Sequence, residues 1–330
     1  ATDRTSSAVY NNIYDTLLVA DEKGNILPNL AEYELINDTT YEFKVIKGIK
    51  WHNGDELKAN DIAFTMKKGC ETAITKYIWG AIDPDSIEII DEYTLRVSTF
   101  EPAPALLALM TALPASILNE KYVTEVGDGS GTAPIGTGPY KFVEWSRGNS
   151  ITLERFDDYH GETPDVSKVV FRFIPEATNR TIELESGICD LAYEIQTSDL
   201  SRVADNPDLT LFSGISNSVR YIGFNCQKAP FDNVAVRQAI ASAINIEGIV
   251  NAVKMGKGVV ATNPIAPDIK YFNDDIKLRP YNPEGAKAAL AAAGYSNGLS
   301  TTIWVDEQKE RVDIATILQS QLAEIGVNAE

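Results

Sequence analysis

Residues 47–68, KGIKWHNGDELKANDIAFTMKK, constrain this chain most, because they join a strand exit, a tight turn and a helix start in one run. Just upstream, Tyr41, Phe43 and Val45 alternate with Glu42, Lys44 and Ile46, which predicts a strand with one buried face. Asn53-Gly54 predicts a two-residue hairpin, since both residues tolerate the positive φ that such a turn requires. Beyond it, Ile62, Ala63 and Met66 fall at helical spacing, with Asn60 or Asp61 able to cap the free N–H groups of the first turn.

The rest of the chain excludes more than it specifies. With 330 residues, 44% hydrophobic and 23% charged, it can build a large core divided between about two domains. A net charge of −18 repels phosphate backbones and anionic membrane surfaces, so nucleic-acid binding is not expected. Cys70, Cys189 and Cys226 are odd in number and irregularly spaced, and read as buried single thiols in preference to a disulfide. No apolar run approaches the ~18 residues that cross a bilayer. HExxH and GxxxxGK patterns are absent, as are a strand-to-helix GxSxG elbow and a GxGxxG after a strand. Pairs such as Asp157-Asp158, Asp274-Asp275 and Glu183/Glu185 are expected as solvated surface in so acidic a chain, and His52 as a solvated turn residue. No residue is singled out as catalytic, and no cofactor or metal ligand set is indicated.

Taken as strings, the motifs say more. Trp51-His-Asn-Gly-Asp followed by Ala59-Asn-Asp-Ile-Ala-Phe resembles the signature of the extracellular solute-binding proteins, family 5, which serve oligopeptide, dipeptide and nickel ABC importers. Further landmarks recur in the family's order: YNNIYDTLLVADEKGNILPNLAE (10–32) resembles its opening helix and hairpin, and Gly136-Thr-Gly-Pro-Tyr-Lys-Phe its central "GTGPY" turn. Residues 229–245 resemble its "PFxDxxVRQAxxxAID" segment, and 281–295 and 318–327 two later helices. Lys58 departs from the pattern, since the family has Thr or Ser as that helix cap; Asn60 is expected to take over. His160, in Tyr-His-Gly-Glu, resembles a family turn.

The chain alternates strand and helix signals. Strands are expected at 40–46, 94–99, 151–155, 168–174, 190–195, 220–225 and 300–305. Helices are expected at 7–16, 60–69, 102–111, 177–186, 232–254, 283–293 and 308–325, the last with an apolar stripe of Ile314, Ile317, Leu318, Leu322 and Ile325 facing a sheet. The class is α/β, or mixed α+β. The resemblance implies a periplasmic-binding-protein-like type II two-lobe fold with an extra sheet-rich accessory domain. Residues 1–16 and 156–255 would form the first binding lobe, 17–155 the accessory domain, and 256–330 the start of a second lobe left incomplete. The resemblance further implies a fragment lacking its C-terminal part, and an exported protein, periplasmic or a cell-surface lipoprotein, whose signal sequence is absent from this chain.

By the same resemblance Asp3, Arg4 and Thr5 would line one cleft wall, Tyr77 and Trp79 an aromatic wall, Arg220 and Tyr221 a strand end facing the cleft, and Asn263 the crossover between lobes. Aromatic rings and amides suit a peptide backbone, offering area and hydrogen bonds together. Trp51, Tyr140 and Arg237, by contrast, are expected to be structural. The implied function is capture of a dipeptide or oligopeptide by a monomer that delivers it to the permease and ATPase of an ABC importer. A nickel-chelate-binding member and a ligand-sensing module without an import role are the alternatives; an enzyme ranks below both.

Overall fold

The structure is a computed structural model that describes residues 4–267 and 269–330. Its contacts divide the chain into two compact units, Ala1–Ile174 and Pro175–Glu330.

The first unit holds α1 (Arg4–Tyr10), the hairpin of β1 (Leu18–Ala20) and β2 (Ile26–Pro28), and the strands β3 (Ala31–Asn37) and β4 (Thr40–Val45). After them come α2 (Ala59–Glu71), α3 (Lys76–Trp79), β5 (Glu88–Asp91), β6 (Thr94–Ser98), α4 (Leu106–Leu109) and α5 (Glu120–Val126). An antiparallel sheet runs in the order β3-β4-β6-β5, so β4 pairs with β6 across α2 in sequence. Tyr41, Phe43 and Val45 are buried as the alternation predicts, and they meet Leu95 and Val97 of β6 with Ile62, Ala63 and Met66 of α2 in one core. A second antiparallel sheet, β7 (Tyr140–Ser146), β8 (Ser150–Arg155) and β9 (Lys168–Arg172), buries Tyr140 and Leu153 with Val9 of α1 and Ile13.

The turn that anchors this unit differs from expectation. Gly54 alone takes a positive φ, 88°. Its N–H donates to the Trp51 carbonyl at 2.8 Å, and the Trp51 N–H donates to the Asp55 carbonyl at 2.8 Å. That is a three-residue loop with glycine in the left-handed position rather than a two-residue hairpin. Helix α2 then starts at Ala59, and Asp61, not Asn60, serves its first turn: the Asp61 carboxylate accepts from the Lys58 N–H at 3.1 Å and from the Glu120 N–H at 2.9 Å. Asn60 instead donates its amide to Glu120 at 2.7 Å.

The second unit contains α6 (Ala177–Glu185), α7 (Leu200–Ala204), α8 (Val234–Ala243), α9 (Ile246–Lys254), α10 (Pro283–Leu290), β10 (Leu299–Thr301), α11 (Lys309–Glu324) and β11 (Val327–Ala329). Strands β10 and β11 pair in parallel. Leu318, Leu322 and Ile325 of the expected stripe are buried against Val236 and Ile240 of α8, Ile249 of α9 and Val327 of β11, with Ile314 and Ile317 partly buried beside them. The single helix expected over 232–254 is two helices, because Asn245 turns its side chain onto the Gly248 N–H at 2.9 Å and starts α9 afresh. The segments 190–195 and 220–225 are not strands; apolar alternation supplies a face, but a strand also needs a neighbour to complete its ladder, and none pairs with them among the described residues. The cysteines are free, as expected, yet none is fully buried and Cys226 is exposed. Among the described residues no helix is long and apolar enough to cross a membrane.

Candidate ligand-binding site

In the first unit the sequence motifs converge on one junction. Gly136 and Gly138 lie against the chain leaving α1: a Cβ on Gly136 would sit 1.9 Å from the Ile13 carbonyl oxygen, and one on Gly138 2.7 Å from the Ile13 carbonyl carbon. The Gly138 N–H donates to the Ile13 carbonyl at 2.9 Å and the Tyr140 N–H to the Asn12 carbonyl at 2.9 Å. Only glycine permits that approach. His52 clasps the same loop, its Nδ1 accepting from the Gly136 N–H at 3.2 Å and its Nε2 donating to the Gly138 carbonyl at 2.9 Å. Burial lowers the His52 pKa to about 4, so the ring is neutral at pH 7. It is a pinned structural residue, which corrects the expectation of a solvated one. Asp15 completes the junction, accepting from the Thr137 hydroxyl at 3.0 Å and facing the His160 Nε2 at 3.1 Å. The neighbouring Tyr159 phenol is pushed up to about 12, by burial first and then by Asp15.

Beside this junction a cavity of about 260 Å³ is lined by Asn11, Tyr14, Asp15, Thr16, Asn29 and Thr111, with Val19, Ala20 and Leu113. Its amide, hydroxyl and carboxylate groups suit a polar ligand group, and its volume lies below the usual range for a whole drug-sized ligand.

The residues expected to touch ligand are placed as follows. Asp3 lies outside the described residues; Arg4 and Thr5 open α1, and their side chains lie outside the description too. Tyr77 is exposed on α3, whereas Trp79 on the same short helix is 1% exposed and lies so close over Gly69 that a Cβ there would meet its ring at 2.2 Å. Trp79 is therefore core, a correction: its ring is enclosed by its own unit and keeps no face for a ligand. In the second unit Tyr221 is 84% exposed. Asn263 spends its amide on its own loop, accepting from the Ile265 N–H at 3.0 Å and donating to the Asn273 carbonyl at 3.4 Å.

Arg220 joins two residues that sequence reading did not single out. Its Nε lies 3.6 Å from Oε1 of Glu310, and Lys254 Nζ lies 2.5 Å from Oε2 of the same carboxylate. Lys254 ends α9 and Glu310 lies in the first turn of α11, so the two helix ends bring the three charges together.

Residues 25–330 match the sequence pattern of the bacterial extracellular solute-binding proteins, family 5. The chain belongs to this family. Its family-5 relatives include the heme-binding protein A of Haemophilus influenzae, 32% identical over 98% of this chain and 64% of that protein, and the dipeptide-binding protein of Escherichia coli, 30% identical over 99% of this chain and 66% of that one. Among solved structures, the ABC transporter-associated periplasmic binding protein DppA from Helicobacter pylori, in complex with the peptide STSA, superimposes on all of this chain and 69% of its own length, with a TM-score of 0.91 and 30% identity. The chain thus spans about two thirds of the length of the relatives it matches, and its fold is theirs, of the type II periplasmic-binding-protein class.

In this family-5 protein the strongest motifs build the scaffold. Trp51 is fully buried, the Tyr140 hydroxyl donates to the Val166 carbonyl at 2.9 Å, and Arg237 holds the Phe231 and Asp232 carbonyls ahead of α8. The residues missed, Lys254, Glu310 and Asp15, carry no local signal: each acquires meaning from partners far away in the chain. Among the described residues no cluster of three or more His, Cys, Asp or Glu is placed to hold a metal ion.

Proposed function

We propose that this chain belongs to the ligand-capturing component of an ABC importer and takes dipeptides or short oligopeptides, which it passes to a membrane permease driven by its ATPase. The observation that carries this reading is the match along the whole chain to a protein holding the peptide STSA, at 30% identity. The 30% identity to a dipeptide-binding protein supports it. In this reading 1–16 with 156–255 form the first lobe, 17–155 an accessory domain and 256–330 part of the second lobe. Tyr77, Arg220 and Tyr221, exposed or half-exposed, are the retained contact candidates, with Arg4, Thr5 and Asn263 beside them. A ligand touching both lobes stabilises their closed arrangement, which the importer recognises. The protein works outside the cytoplasm, in the periplasm or as a lipid-anchored form at the cell surface.

Heme is the second reading, favoured by the 32% identity to a heme-binding protein. A thermal-shift screen against dipeptides, tetrapeptides, nonapeptides, hemin and nickel with histidine separates the two. A ligand at ~100 times its dissociation constant adds roughly 2.7 kcal/mol, which moves the melting point by several degrees. A shift with peptides and none with hemin is the expected result. A shift with hemin alone replaces the peptide reading.

A further inference from the structure

The sequence contains two Asn-Gly steps, Asn53-Gly54 and Asn297-Gly298. Both sit in the same backbone setting: the glycine takes a left-handed φ, 88° at Gly54 and 94° at Gly298, and its N–H donates to the carbonyl three residues back. Both asparagines are exposed. The two turns differ in what restrains them. Gly54 holds the Trp51 carbonyl at 2.8 Å, whereas Gly298 holds the Tyr295 carbonyl at 3.2 Å, the long end of the normal range. The Asn53 amide is tied at both ends to Asp55: its Oδ1 accepts from the Asp55 N–H at 3.1 Å, and its Nδ2 donates to the Asp55 carboxylate at 3.0 Å. The Asn297 side chain makes no hydrogen bond or ion pair among the described residues. Directly after it the Leu299 N–H donates to the Gly326 carbonyl at 3.0 Å, which opens the β10–β11 pair, and a Cβ on Gly298 would sit 2.8 Å from that carbonyl oxygen. Leu299 and Val327, paired across these strands, are buried in the core of the second unit.

We infer that Asn297 is a self-modifying site, where the chain deamidates to aspartate and isoaspartate while Asn53 is protected by its ties to Asp55. The Gly298 nitrogen, having given its proton to water or hydroxide, attacks the Asn297 side-chain carbonyl carbon. The bond to the side-chain nitrogen breaks, ammonia leaves, and a five-membered succinimide remains. Glycine favours this step because it has no Cβ to crowd the attacking nitrogen. Water then opens the ring on either side. Breaking the ring bond to the side-chain carbon leaves aspartate with a normal main chain; breaking the bond to the main-chain carbonyl leaves isoaspartate, whose main chain runs through the former side chain. Either product adds one negative charge at an exposed position. Isoaspartate also inserts a methylene ahead of Gly298, where the chain already lies against the Gly326 carbonyl, and so pulls the Leu299 N–H off its acceptor at the start of β10. The site is independent of the identity of the transported ligand.

The test incubates the full chain and its N297Q and D55A variants at mildly alkaline pH and maps their peptides by mass spectrometry at intervals. Isoaspartate is counted with an L-isoaspartyl methyltransferase and labelled S-adenosylmethionine. In the folded parent Asn297 should convert at least about tenfold faster than Asn53, the scale set by the two side-chain hydrogen bonds that Asn53 must first break. In guanidinium chloride, with both turns unfolded, the two should convert at comparable rates. D55A, which removes the carboxylate tie, should speed Asn53. The aged parent should carry isoaspartate at 297 and unfold at lower urea than fresh protein, while aged N297Q keeps its midpoint, because glutamine closes its larger ring far more slowly. If Asn53 converts as fast as Asn297 in the folded chain, or Asn297 stays intact there while both convert in guanidinium chloride, the site is overturned. If D55A leaves Asn53 slow, the protective role of Asp55 is overturned. An unchanged midpoint once isoaspartate has accumulated at 297 overturns its effect on β10 and β11.

Discussion

His52 shows what a single residue acquires from its surroundings. With both ring nitrogens engaged by the backbone of Gly136 and Gly138, and Phe156 edge-on at 4.9 Å, its imidazole is neutral in the folded chain down to about pH 4, against an ordinary value of 6.5. The consequence for stability has a definite sign. Above pH 6.5 the ring is neutral in both states and contributes no pH dependence; between pH 6.5 and 4 only the unfolded chain takes up the proton, so stability falls as pH falls. The loss by pH 4 is on the order of 3 kcal/mol at most. Urea midpoints measured from pH 7 to 4 should fall more steeply for the parent chain than for His52→Gln, in which carboxylate titrations cancel; parallel slopes would refute the assignment. Nothing in the string WHNGD announces this, because the partners lie more than eighty residues away in the GTGPY turn. The same distance hides Glu310 from Arg220, whereas the need for glycine at 136 and 138 was visible as a motif without its reason.

At the scale of elements, asparagine sets the helix starts. Asn119, Asn233, Asn245 and Asn282 each accept a backbone N–H in the first turn of α5, α8, α9 and α10, at 2.8 to 2.9 Å. Asn245 does more, since its own N–H donates to the Gln321 side chain of α11 at 2.8 Å and so ties the α8–α9 break to the last helix. Apolar periodicity runs through AIASAINIEGIV without interruption, which is why one helix is expected there; the cap wins because a side-chain acceptor for an orphan N–H outweighs continuation of the pattern. Asn245→Ala should lower unfolding free energy by about 1 kcal/mol through loss of that cap. Chemical denaturation followed by far-ultraviolet circular dichroism reads this directly, and an unchanged midpoint would mean that Gln321 alone holds the break. Asp61 follows the same logic at α2: it was one of two candidates by spacing, and geometry chose it because its carboxylate reaches two backbone donors at once.

For the whole molecule, the distribution of cores is the governing fact. The clusters built on β4, β6 and α2 and on β7 to β9 lie wholly within the first unit, while the cluster of α8 to α11 with β10 and β11 lies within the second. Each unit therefore carries its own hydrophobic stabilisation. Residues 1–174 expressed alone should fold, with cooperative urea unfolding and a near-ultraviolet signal from the buried Trp51 and Trp79. Loss of that signal with retained helix content would show instead that the unit needs the rest of the chain. The sequence by itself determined the class, the family and the local grammar: alternation in β4, the α11 stripe and the glycines of the central turn, all of which depend on neighbours a few positions apart. Tertiary structure decided which side chains meet. Trp79 went to the core and Tyr77 to solvent, His52 and Asp15 to the central turn, and Arg220 to Glu310, because those outcomes depend on burial and charge brought together across long stretches of chain, where spacing along the sequence carries no information.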